Sequence, residues 1–325
     1  MNQSHHQLLA LLADGQFHSG TELGGKLSIS RSAISQKVRQ LEEYGLVIHS
    51  VKGKGHRLPH TLELLNKAKL DSGLVPAVRN RLSSLEVFSE IDSTNRYLSE
   101  LIGTENIHCR LALAEYQSAG RGRHGNSWVS PFASGICLSL GWHFPVSPEP
   151  LTVISLGTGV AIIRALQRLG ITDAGLKWPN DIFVNGKKLG GILVEMRAES
   201  AGPCNTVIGI GLNYAIKTMD VDAIDQPWTD ILSVSEKHLS RNDCAAIIIN
   251  NLVMLLEKIS QTEPASIMKE WRTYDCMKGK LARLILPDET LRGRILDIDD
   301  HGALMMEINH QVRRFHIGEI SMRVE

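Results

Sequence analysis

The sequence contains no apolar stretch long enough to cross a membrane, and this absence narrows its class. No run approaches the ~18 consecutive apolar residues of a membrane-spanning helix. The N-terminus also lacks the basic-then-apolar pattern of a secretory signal peptide. Internal repeats and low-complexity tracts are absent too. We therefore expect a cytoplasmic globular protein that makes no membrane contact.

Paired cysteines and familiar catalytic spacings are also missing. The five cysteines are scattered, odd in number and without a CxxC spacing, which fits unpaired thiols in a reducing compartment. No Ser-His-Asp, Cys-His or metal-ligand spacing is present, so metal ligands remain unassigned. Without an obvious nucleophile, catalysis would depend on positioning and on positive charge that faces a phosphate. That profile favours an adenylate-forming enzyme over a hydrolase.

The sequence is long enough for two or three domains, and its charged residues are unevenly distributed. The 325 residues are 43% hydrophobic, and 35 basic residues balance 35 acidic ones. Residues 1–60 nevertheless carry seven Lys and Arg against four Asp and Glu, which gives seven minus four, or +3. A basic end on a neutral protein suggests one module that faces nucleic acid.

The first 60 residues have the pattern of a winged helix-turn-helix. Ser19 to Glu22 form a capping box, a tight turn follows at 28–30, and a helix is expected over 31–44. A strand, a Gly-rich tip and a second strand over 47–58 would form the wing. A generic helical domain with a solvated face is the alternative. The polar residues expected to face DNA are Arg31, Ser32, Ser35, Gln36, Arg39, Lys52 and Lys54.

Beyond the wing, strands and helices mix and indicate an α+β protein. The expected elements are a helical connector over 62–74, strands over 85–91, 110–116, 135–144 and 204–212, helices from Asp92, over 151–169 and from Pro264, a hairpin at Asn185-Gly186, and a helix capped by Asn242 or Asp243 that runs to Ile259. After Tyr274, short strands separated at Pro287-Asp288, Arg292-Gly293, 299–302, 309–310 and Gly318 suggest a small barrel. The expected domains are 1–65, 66–274 and 275–325.

Residues 115–128, here called the flap, alternate glycines with arginines in a segment too irregular for a helix or strand. Glycine lets a ligand approach the backbone, and arginine offers a fixed charged fork to an anion. The string Gly120-x-Gly122-x-x-Gly125 also matches a dinucleotide fingerprint, but a strand follows where that motif needs a helix. A plain surface loop is the third interpretation. We favour a mobile flap that closes over an anion, with His124 solvated.

Four other segments are candidates for chemistry. Ser93-Thr94-Asn95 lies at a strand-to-helix turn, where plain N-capping is the alternative role. Residues 177–181, Lys-Trp-Pro-Asn-Asp, place a lysine and an acid on the two sides of a turn. In 187–191, Lys-Lys-Leu-Gly-Gly, the lysines fit a solvated edge, whereas the glycines suggest close backbone approach. Residues 209–213 end a strand with Asn213.

In this order, these segments resemble the biotin protein ligases. Gly-Arg-Gly-Arg in the flap, the run at 177–181 and residues 188–195, Lys-Leu-Gly-Gly-Ile-Leu-Val-Glu, carry the likeness. With the winged helix in front and the barrel behind, the chain resembles the bacterial bifunctional ligases that also repress the biotin operon. The resemblance implies a central mixed sheet flanked by helices, of the class II aminoacyl-tRNA synthetase-like, biotin/lipoate ligase fold, and a C-terminal SH3-like β-barrel.

The resemblance also implies a reaction and its residues. Biotin would attack the α-phosphate of ATP to give biotinyl-5′-AMP, and a lysine of the biotin carboxyl carrier protein of acetyl-CoA carboxylase would then take the biotinyl group. Magnesium is expected with ATP. Arg123 and Lys188 would be catalytic. The biotin-binding residues would be Ser93, Thr94, Asn95, Gln117, Gly120, Arg121, Gly122, Arg123, Lys188 and Gly191. The nucleotide-binding residues would be Lys177, Asn180, Asn213 and Trp228, although Trp228 alone could be a rim aromatic.

A repressor role is implied as well, with biotinyl-5′-AMP as corepressor. In the family, ordering of the flap favours a homodimer that binds an inverted-repeat operator. His124, Asn126 and Ser127 stand where Arg, Arg and Lys are frequent, which affects how tightly adenylate would be held. Gly190 stands where alanine is common, a difference expected to be without consequence. A metabolite sensor without ligase activity and an enzyme without operator binding are the competing hypotheses.

Overall fold

The computed structural model describes residues 3–145, 152–198, 203–216, 226–259, 264–286, 289–316 and 321–324. Within these residues no helix is long and apolar enough to span a membrane. All five cysteines are free, and four of them are buried. The predicted helix start at Leu151 and the predicted turns at Pro287-Asp288 and Gly318 lie outside the described residues.

The N-terminal module is the predicted helix-turn-helix with a two-stranded wing. Its elements are α1 (Gln3–Leu12), α2 (Gly20–Leu27), α3 (Arg31–Glu42), β1 (His49–Val51) and β2 (Gly55–Arg57), with β1 and β2 antiparallel. Ser19 caps α2 by accepting from the Glu22 amide at 3.0 Å. Glu22 does not complete the capping box in return, because its carboxylate contacts His18 and Lys26. Only half of the predicted box therefore forms.

The residues expected to face DNA lie on α3 and the wing, and most of them are exposed to solvent. Ser30 caps α3 through the Ala33 amide, and the apolar face of α3 is buried in the module's core. Ser35 is half-buried and donates to the Arg31 carbonyl at 3.3 Å. The exposed members of the set are Arg31, Ser32, Gln36, Arg39, Lys52 and Lys54. In the wing, Lys54 lies over the Phe17 ring with its nitrogen 5.9 Å from the ring centre.

The connector to the next domain is only partly helical. We predicted a helix over 62–74, but the structure has α4 (Lys67–Gly73), followed by α5 (Pro76–Arg79). Residues 62–66 form no helix, because two of their amides bond to distant side chains instead of to one another. The Leu65 amide donates to Glu115, and the Asn66 amide donates to Asn242.

The central domain is built on a seven-stranded mixed sheet, as predicted. Only the β3–β4 pair is parallel, and the order is β3-β4-β5-β9-β8-β7-β6. The strands are β3 (Ser84–Phe88), β4 (Arg110–Ala114), β5 (Gly135–Phe144), β6 (Ala174–Lys177), β7 (Asp181–Val184), β8 (Lys187–Ala198) and β9 (Cys204–Asn213). The helices are α6 (Thr94–Leu101), α7 (Thr152–Arg168), α8 (Ile231–Val234), α9 (Arg241–Ile259) and α10 (Pro264–Tyr274).

Helices cover both faces of this sheet. α7 is apolar on all sides and buried along most of its length, because it lies between the sheet and the helices α9 and α10. α6 covers the other face against β4, β5 and β9. The predicted cap of α9 was wrong. Ser240 accepts from the Asp243 amide at 3.2 Å, whereas the Asn242 side chain is drawn to Glu63 and the Leu64 carbonyl.

The C-terminal domain is a five-stranded antiparallel sheet in the order β13-β12-β11-β10-β14. Its strands are β10 (Leu281–Ile285), β11 (Thr290–Ile298), β12 (Leu304–Ile308), β13 (Gln311–Phe315) and β14 (Ser321–Val324). The turns at 299–302 and 309–310 form as predicted. The break expected at Arg292-Gly293 is wrong, because both residues lie inside β11. A Cβ at Gly293 would lie 2.5 Å from the Glu307 carbonyl oxygen, so this glycine allows close strand pairing rather than a turn.

A fully buried ion pair joins the connector to the central domain. The Arg241 and Glu115 side chains form this pair, and both are completely excluded from solvent. The second oxygen of Glu115 accepts from the Leu65 amide, and Arg241 also donates to the Gly135 carbonyl at 2.9 Å. Each buried charge therefore has a partner on a different segment of the chain.

Replacing Glu115 by Gln should strongly destabilise the protein. The substitution keeps the shape but leaves the Arg241 charge buried without a counter-charge, a loss of about 3–5 kcal/mol in the free energy of unfolding. Denaturant unfolding measures it. Asp71→Asn, which breaks an exposed pair with Arg79, is the control and should cost less than about 1 kcal/mol. Equal losses in the two variants would contradict the role of the buried pair.

Candidate active site

One cavity of about 800 Å³ opens where the flap covers the ends of β5, β8 and β9. The turn at 177–181 and the segment at 226–228 complete its walls, and the C-terminal domain contributes part of the rim. A volume of this size suits a small organic ligand. The flap, the turn at 177–181 and the segments at 187–191 and 209–213 were singled out in the sequence, whereas β5 and the C-terminal rim were not.

A network of four polar side chains, here called the polar floor, lies at the closed end. Gln117 accepts from the Thr94 amide at 2.8 Å and from the Thr94 hydroxyl at 3.1 Å. Ser139 lies 2.7 Å from the Thr94 hydroxyl and 2.5 Å from Asn95 Oδ1. Ser93 caps α6 through the Arg96 amide, although at a long 3.4 Å. The capping role expected as the alternative for Ser93 is therefore present, beside a floor formed by its neighbours.

The polar floor carries more hydrogen-bond acceptors than donors. The orientation of the Asn95 amide is fixed, because its nitrogen faces the Leu193 carbonyl at 3.2 Å and the Glu195 carboxylate at 2.9 Å. Its oxygen therefore faces Ser139, whose single proton cannot satisfy both Asn95 and Thr94. A ligand that brings N–H donors to this end of the cavity would supply the missing protons.

The flap folds as a tight hairpin anchored to the sheet. The Gly122 amide donates to the Asn126 carbonyl at 2.7 Å, and the Trp128 amide donates to the Gly120 carbonyl at 2.9 Å. At its tip His124 is exposed and has a φ of 56°, and it was predicted to be solvated. Gly120 is a predicted ligand contact, but unlike its neighbours in the flap it does not line the cavity. A Cβ there would lie 2.4 Å from the Trp128 carbonyl oxygen, so it serves backbone packing.

The opposite end of the cavity, here called the cationic end, brings Lys177, Lys188 and Arg123 around the single carboxylate of Asp181. Lys188 Nζ lies 2.8 Å from that carboxylate. Burial lowers the pKa of Lys177 below its usual range, an effect that Asp181 partly opposes. Burial also lowers the pKa of Arg123. Both cations are thus partly withdrawn from water, where an anionic ligand would be bound more strongly than at a fully exposed surface.

The side chains predicted for the nucleotide are held in place mainly by the backbone. Asn180 donates to the Ile192 carbonyl at 2.9 Å and accepts from Arg123 at 3.4 Å. Asn213 donates to the Thr229 carbonyl at 2.9 Å. Trp228 is half-buried in the cavity wall. The residue before it, Pro227, is held to β8, because its carbonyl accepts from the Lys188 amide. The two amides thus shape the wall that Trp228 closes.

The structure brings nearly all the predicted ligand contacts together. Those that line the cavity are Ser93, Thr94, Asn95, Gln117, Arg121, Gly122, Arg123, Lys177, Asn180, Lys188, Gly191, Asn213 and Trp228. Asp181 and Ser139, which line the cavity, and Glu195, which contacts Asn95 and Arg121, were given no role from the sequence. Asp181 and Glu195 lay inside quoted motifs, so their position there was the available signal. Ser139 lies within an apolar strand, where no local pattern marks it.

Gly190 corrects one expectation. Alanine at this position was expected to be harmless, but a Cβ there would lie 2.5 Å from the Gly211 carbonyl oxygen and 2.3 Å from Leu212 Cδ2. Strands β8 and β9 pair closely at this point, with Gly190 opposite Leu212. The glycine is therefore required by the strand packing of this chain.

The three parts of the chain match known families. The profile of the Biotin/lipoate A/B protein ligase family matches residues 87–213. An HTH domain profile matches residues 5–57, and the Biotin protein ligase C terminal domain matches residues 281–323. The matches follow the order of the modules seen in the structure.

Whole-chain relatives agree with these matches. The chain is 36% identical to the "Bifunctional ligase/repressor BirA" of Escherichia coli over 98% of its own length and 96% of the relative. It is 30% identical to a "Biotin--[acetyl-CoA-carboxylase] ligase" of Mycobacterium tuberculosis over 73% of this chain and 88% of the relative. Among solved structures, the biotin protein ligase of Aquifex aeolicus with biotin and ATP shares the fold. Its TM-score is 0.62 at 20% identity, over 75% of this chain and 99% of that one.

Introducing a methyl group at Gly190 should distort the β8–β9 pairing. We expect Gly190→Ala to lose about 1–3 kcal/mol in the free energy of unfolding, because the backbone oxygen of Gly211 cannot move away cheaply. Denaturant unfolding is the measurement. Gly25→Ala is the matched control, since nothing lies within 4 Å of a Cβ in that helix. A Gly190→Ala variant as stable as the parent protein would show that the strands relax freely.

Proposed function

The chain belongs to the biotin/lipoate A/B protein ligase family, and we propose that it is both a biotin ligase and a biotin-responsive repressor. The observation that carries the enzyme proposal is one cavity with two unlike ends under one flap. An acceptor-rich polar floor lies at one end, and three cations lie around Asp181 at the other. The observation that carries the repressor proposal is the exposed polar face of α3 beside the basic wing.

Biotin fits this cavity in one direction. Its ureido ring carries two N–H donors, which match the acceptors of Thr94 and Asn95 that Ser139 cannot both satisfy, while Gln117 holds Thr94 in place. Ser93, Gly122 and Gly191 border the same volume, and Gly120 supports the flap above it. The valerate carboxylate would then extend toward Arg123 and Lys188.

The cationic end suits an adenylation. A carboxylate oxygen of biotin would bond to the α-phosphorus of ATP, and the bond to pyrophosphate would break, which gives biotinyl-5′-AMP. Negative charge grows on the phosphate oxygens during this step, where Lys188 and Arg123 would stabilise it as catalytic residues. Lys177 and Asn180 would hold the nucleotide, Asn213 would shape its wall, and Trp228 would cover the adenine.

Magnesium would arrive with ATP. Among the residues that the structure describes, no cluster of three or more metal-ligating side chains is present. Mg²⁺ needs few protein ligands when phosphates and waters complete its shell. Asp181 would be the carboxylate available to such an ion at the cationic end, and the ion would then compete with the Asp181–Lys188 pair. The chemistry that Mg²⁺ supplies is neutralisation of phosphate charge.

The second step transfers the acyl group. The amine of a lysine on the biotin carboxyl carrier protein of acetyl-CoA carboxylase would attack the acyl carbon, and AMP would leave with the bonding electrons. Until then the flap would shield the mixed anhydride from water. His124, Asn126 and Ser127 are exposed and line the cavity from the flap, so their departure from a more basic pattern would weaken retention of the adenylate rather than the chemistry.

The adenylate would also act as corepressor. A homodimer formed when the flap is ordered would present two copies of α3 to an inverted repeat in the operator of the biotin operon. Base edges would be read by Arg31, Ser32, Ser35, Gln36 and Arg39, with the wing's Lys52 and Lys54 on phosphates. Linkage makes repression follow the supply of biotin and ATP.

Exchange of labelled pyrophosphate into ATP should depend on biotin. Wild-type protein with magnesium, ATP and biotin should catalyse it, and Lys188→Gln should slow it at least about 100-fold by removing charge from the reacting phosphate. Lys67→Gln, on the exposed start of α4, is the control and should retain full exchange. Absence of exchange in the wild-type protein would leave a ligand sensor without ligase activity.

Operator binding should require both substrates. In a gel shift with the promoter fragment of the biotin operon, we expect a complex with biotin plus ATP and none with either alone. Gln36→Ala should weaken it about 10-fold or more through a lost base contact, with pyrophosphate exchange unchanged. If no shifted band appears under any condition, the winged helix does not bind this operator and the repressor proposal is wrong.

A further inference from the structure

We propose that Glu195 is a positioning residue that couples occupancy of the polar floor to closure of the flap. This proposal rests on the proposed function, since it assigns a regulatory contact within the biotin site. Glu195 lies on β8, inside a motif that carried the family likeness, and it was given no role there. Its two carboxylate oxygens point to two different parts of the site.

The first contact of Glu195 is with the flap. Its Oε1 lies 2.9 Å from Arg121 Nη1, and both side chains keep some exposure, 26% for Glu195 and 42% for Arg121. Arg121 is predicted to help cover biotin and the adenylate, and it lines the cavity. In this structure it also fastens the flap to the sheet. A partly exposed pair of this kind is weak by itself and therefore reversible.

The second contact of Glu195 leads into the floor. Its Oε2 accepts from the Asn95 amide at 2.9 Å, and the oxygen of that amide faces Ser139 at 2.5 Å. From Ser139 the chain continues to the Thr94 hydroxyl and ends at Gln117, the flap's own third residue. The network thus begins at Gln117 in the flap, passes through the polar floor of the cavity, and returns to the flap at Arg121.

The backbone is built to admit this network. A Cβ at Gly209 would lie 2.2 Å from Asn95 Oδ1, so only glycine leaves room for the Asn95 side chain against β9. The Leu193 carbonyl holds the same amide from the other side. Asn95 can therefore present its oxygen to the floor and its nitrogen to Glu195 at the same time.

The direction of the coupling follows from the shortage of donors in the floor. A ligand N–H that bonds to Asn95 Oδ1 polarises the amide and strengthens the bond from its nitrogen to Glu195. Glu195 is then better held in the position that fastens Arg121. Coupling is reciprocal, so the fastened flap must raise the affinity for the ligand by the same factor. Loss of the negative charge on Glu195 should remove both effects.

The test is Glu195→Gln, which preserves size and can still accept from Asn95. In the pyrophosphate exchange assay, we expect the KM for biotin to rise about 5- to 20-fold, with kcat and the KM for ATP within about twofold. Trypsin cleavage after Arg121 and Arg123 supplies a second readout. Biotin should protect the wild-type flap from trypsin strongly and the Glu195→Gln flap weakly. Asp71→Asn, which removes a similar exposed pair with Arg79, is the control and should behave as the wild type.

A double-variant comparison separates coupling from general damage. If Glu195 acts through Arg121, then Arg121→Gln and the double variant should show the same biotin KM as Glu195→Gln, within about twofold. Additive effects, or a Glu195→Gln protein with wild-type KM and protection, would overturn the proposal. Failure of the proposed ligase function looks different, because the wild-type protein itself would then show no biotin-dependent exchange, whereas protection of the flap by biotin can still be compared between the wild type and Glu195→Gln.

Discussion

The active site depends on strand positions where a side chain is missing. Gly209 and Gly211 face the cavity from β9, and each leaves space that another residue fills. Asn95 from α6 occupies the first space, and the Trp128 indole lies over the second, where a Cβ would be 2.5 Å from the ring. One of these residues belongs to the polar floor and the other to the root of the flap. The two glycines of β9 thus determine how closely the polar floor and the flap can approach this strand. Asn95 and Trp128 can pack against it only where it has no Cβ.

Charge divides the cavity that this packing creates. The floor end is neutral and short of donors, whereas the other end holds more cations than its one carboxylate, Asp181, can neutralise. A ligand must therefore carry hydrogen-bond donors at the end that faces the polar floor and an anionic group at the end that faces the cations. A carboxylic acid with a urea group has both. Lys188 already pairs with Asp181. An incoming anion therefore replaces Asp181 as the partner of Lys188 and does not meet an unpaired ammonium group. That exchange keeps the cost of an empty site low without lowering the selectivity for anions.

The sequence predicted most of the helices and strands, and the motif residues come together around one cavity. The predictions failed where the deciding partner is distant. Local capping and alternation placed the helix-turn-helix, the central strands and the turn at 177–181. The cap of α9 was missed because Asn242 bonds to Glu63, far away in sequence, which left the capping to Ser240. Gly293 suggested a turn because a strand glycine and a turn glycine look alike until the neighbouring strand is known. Ser139 had no signal for the same reason, since its role comes from residues on α6.

The same packing physics brings the two modules together at the roots of the flap. Tyr116 lies just within one end of the flap and Phe132 just beyond the other, and both pack against the core of the winged helix. Their common neighbour is Tyr44, with ring centres 5.7 Å and 6.4 Å away, and its hydroxyl donates to Glu90 at 3.0 Å. Residues in contact cannot move independently in a close-packed core. The flap is therefore held near both ends by the winged helix, so the proposed cover of the ligand and the proposed DNA-binding module share one packed cluster.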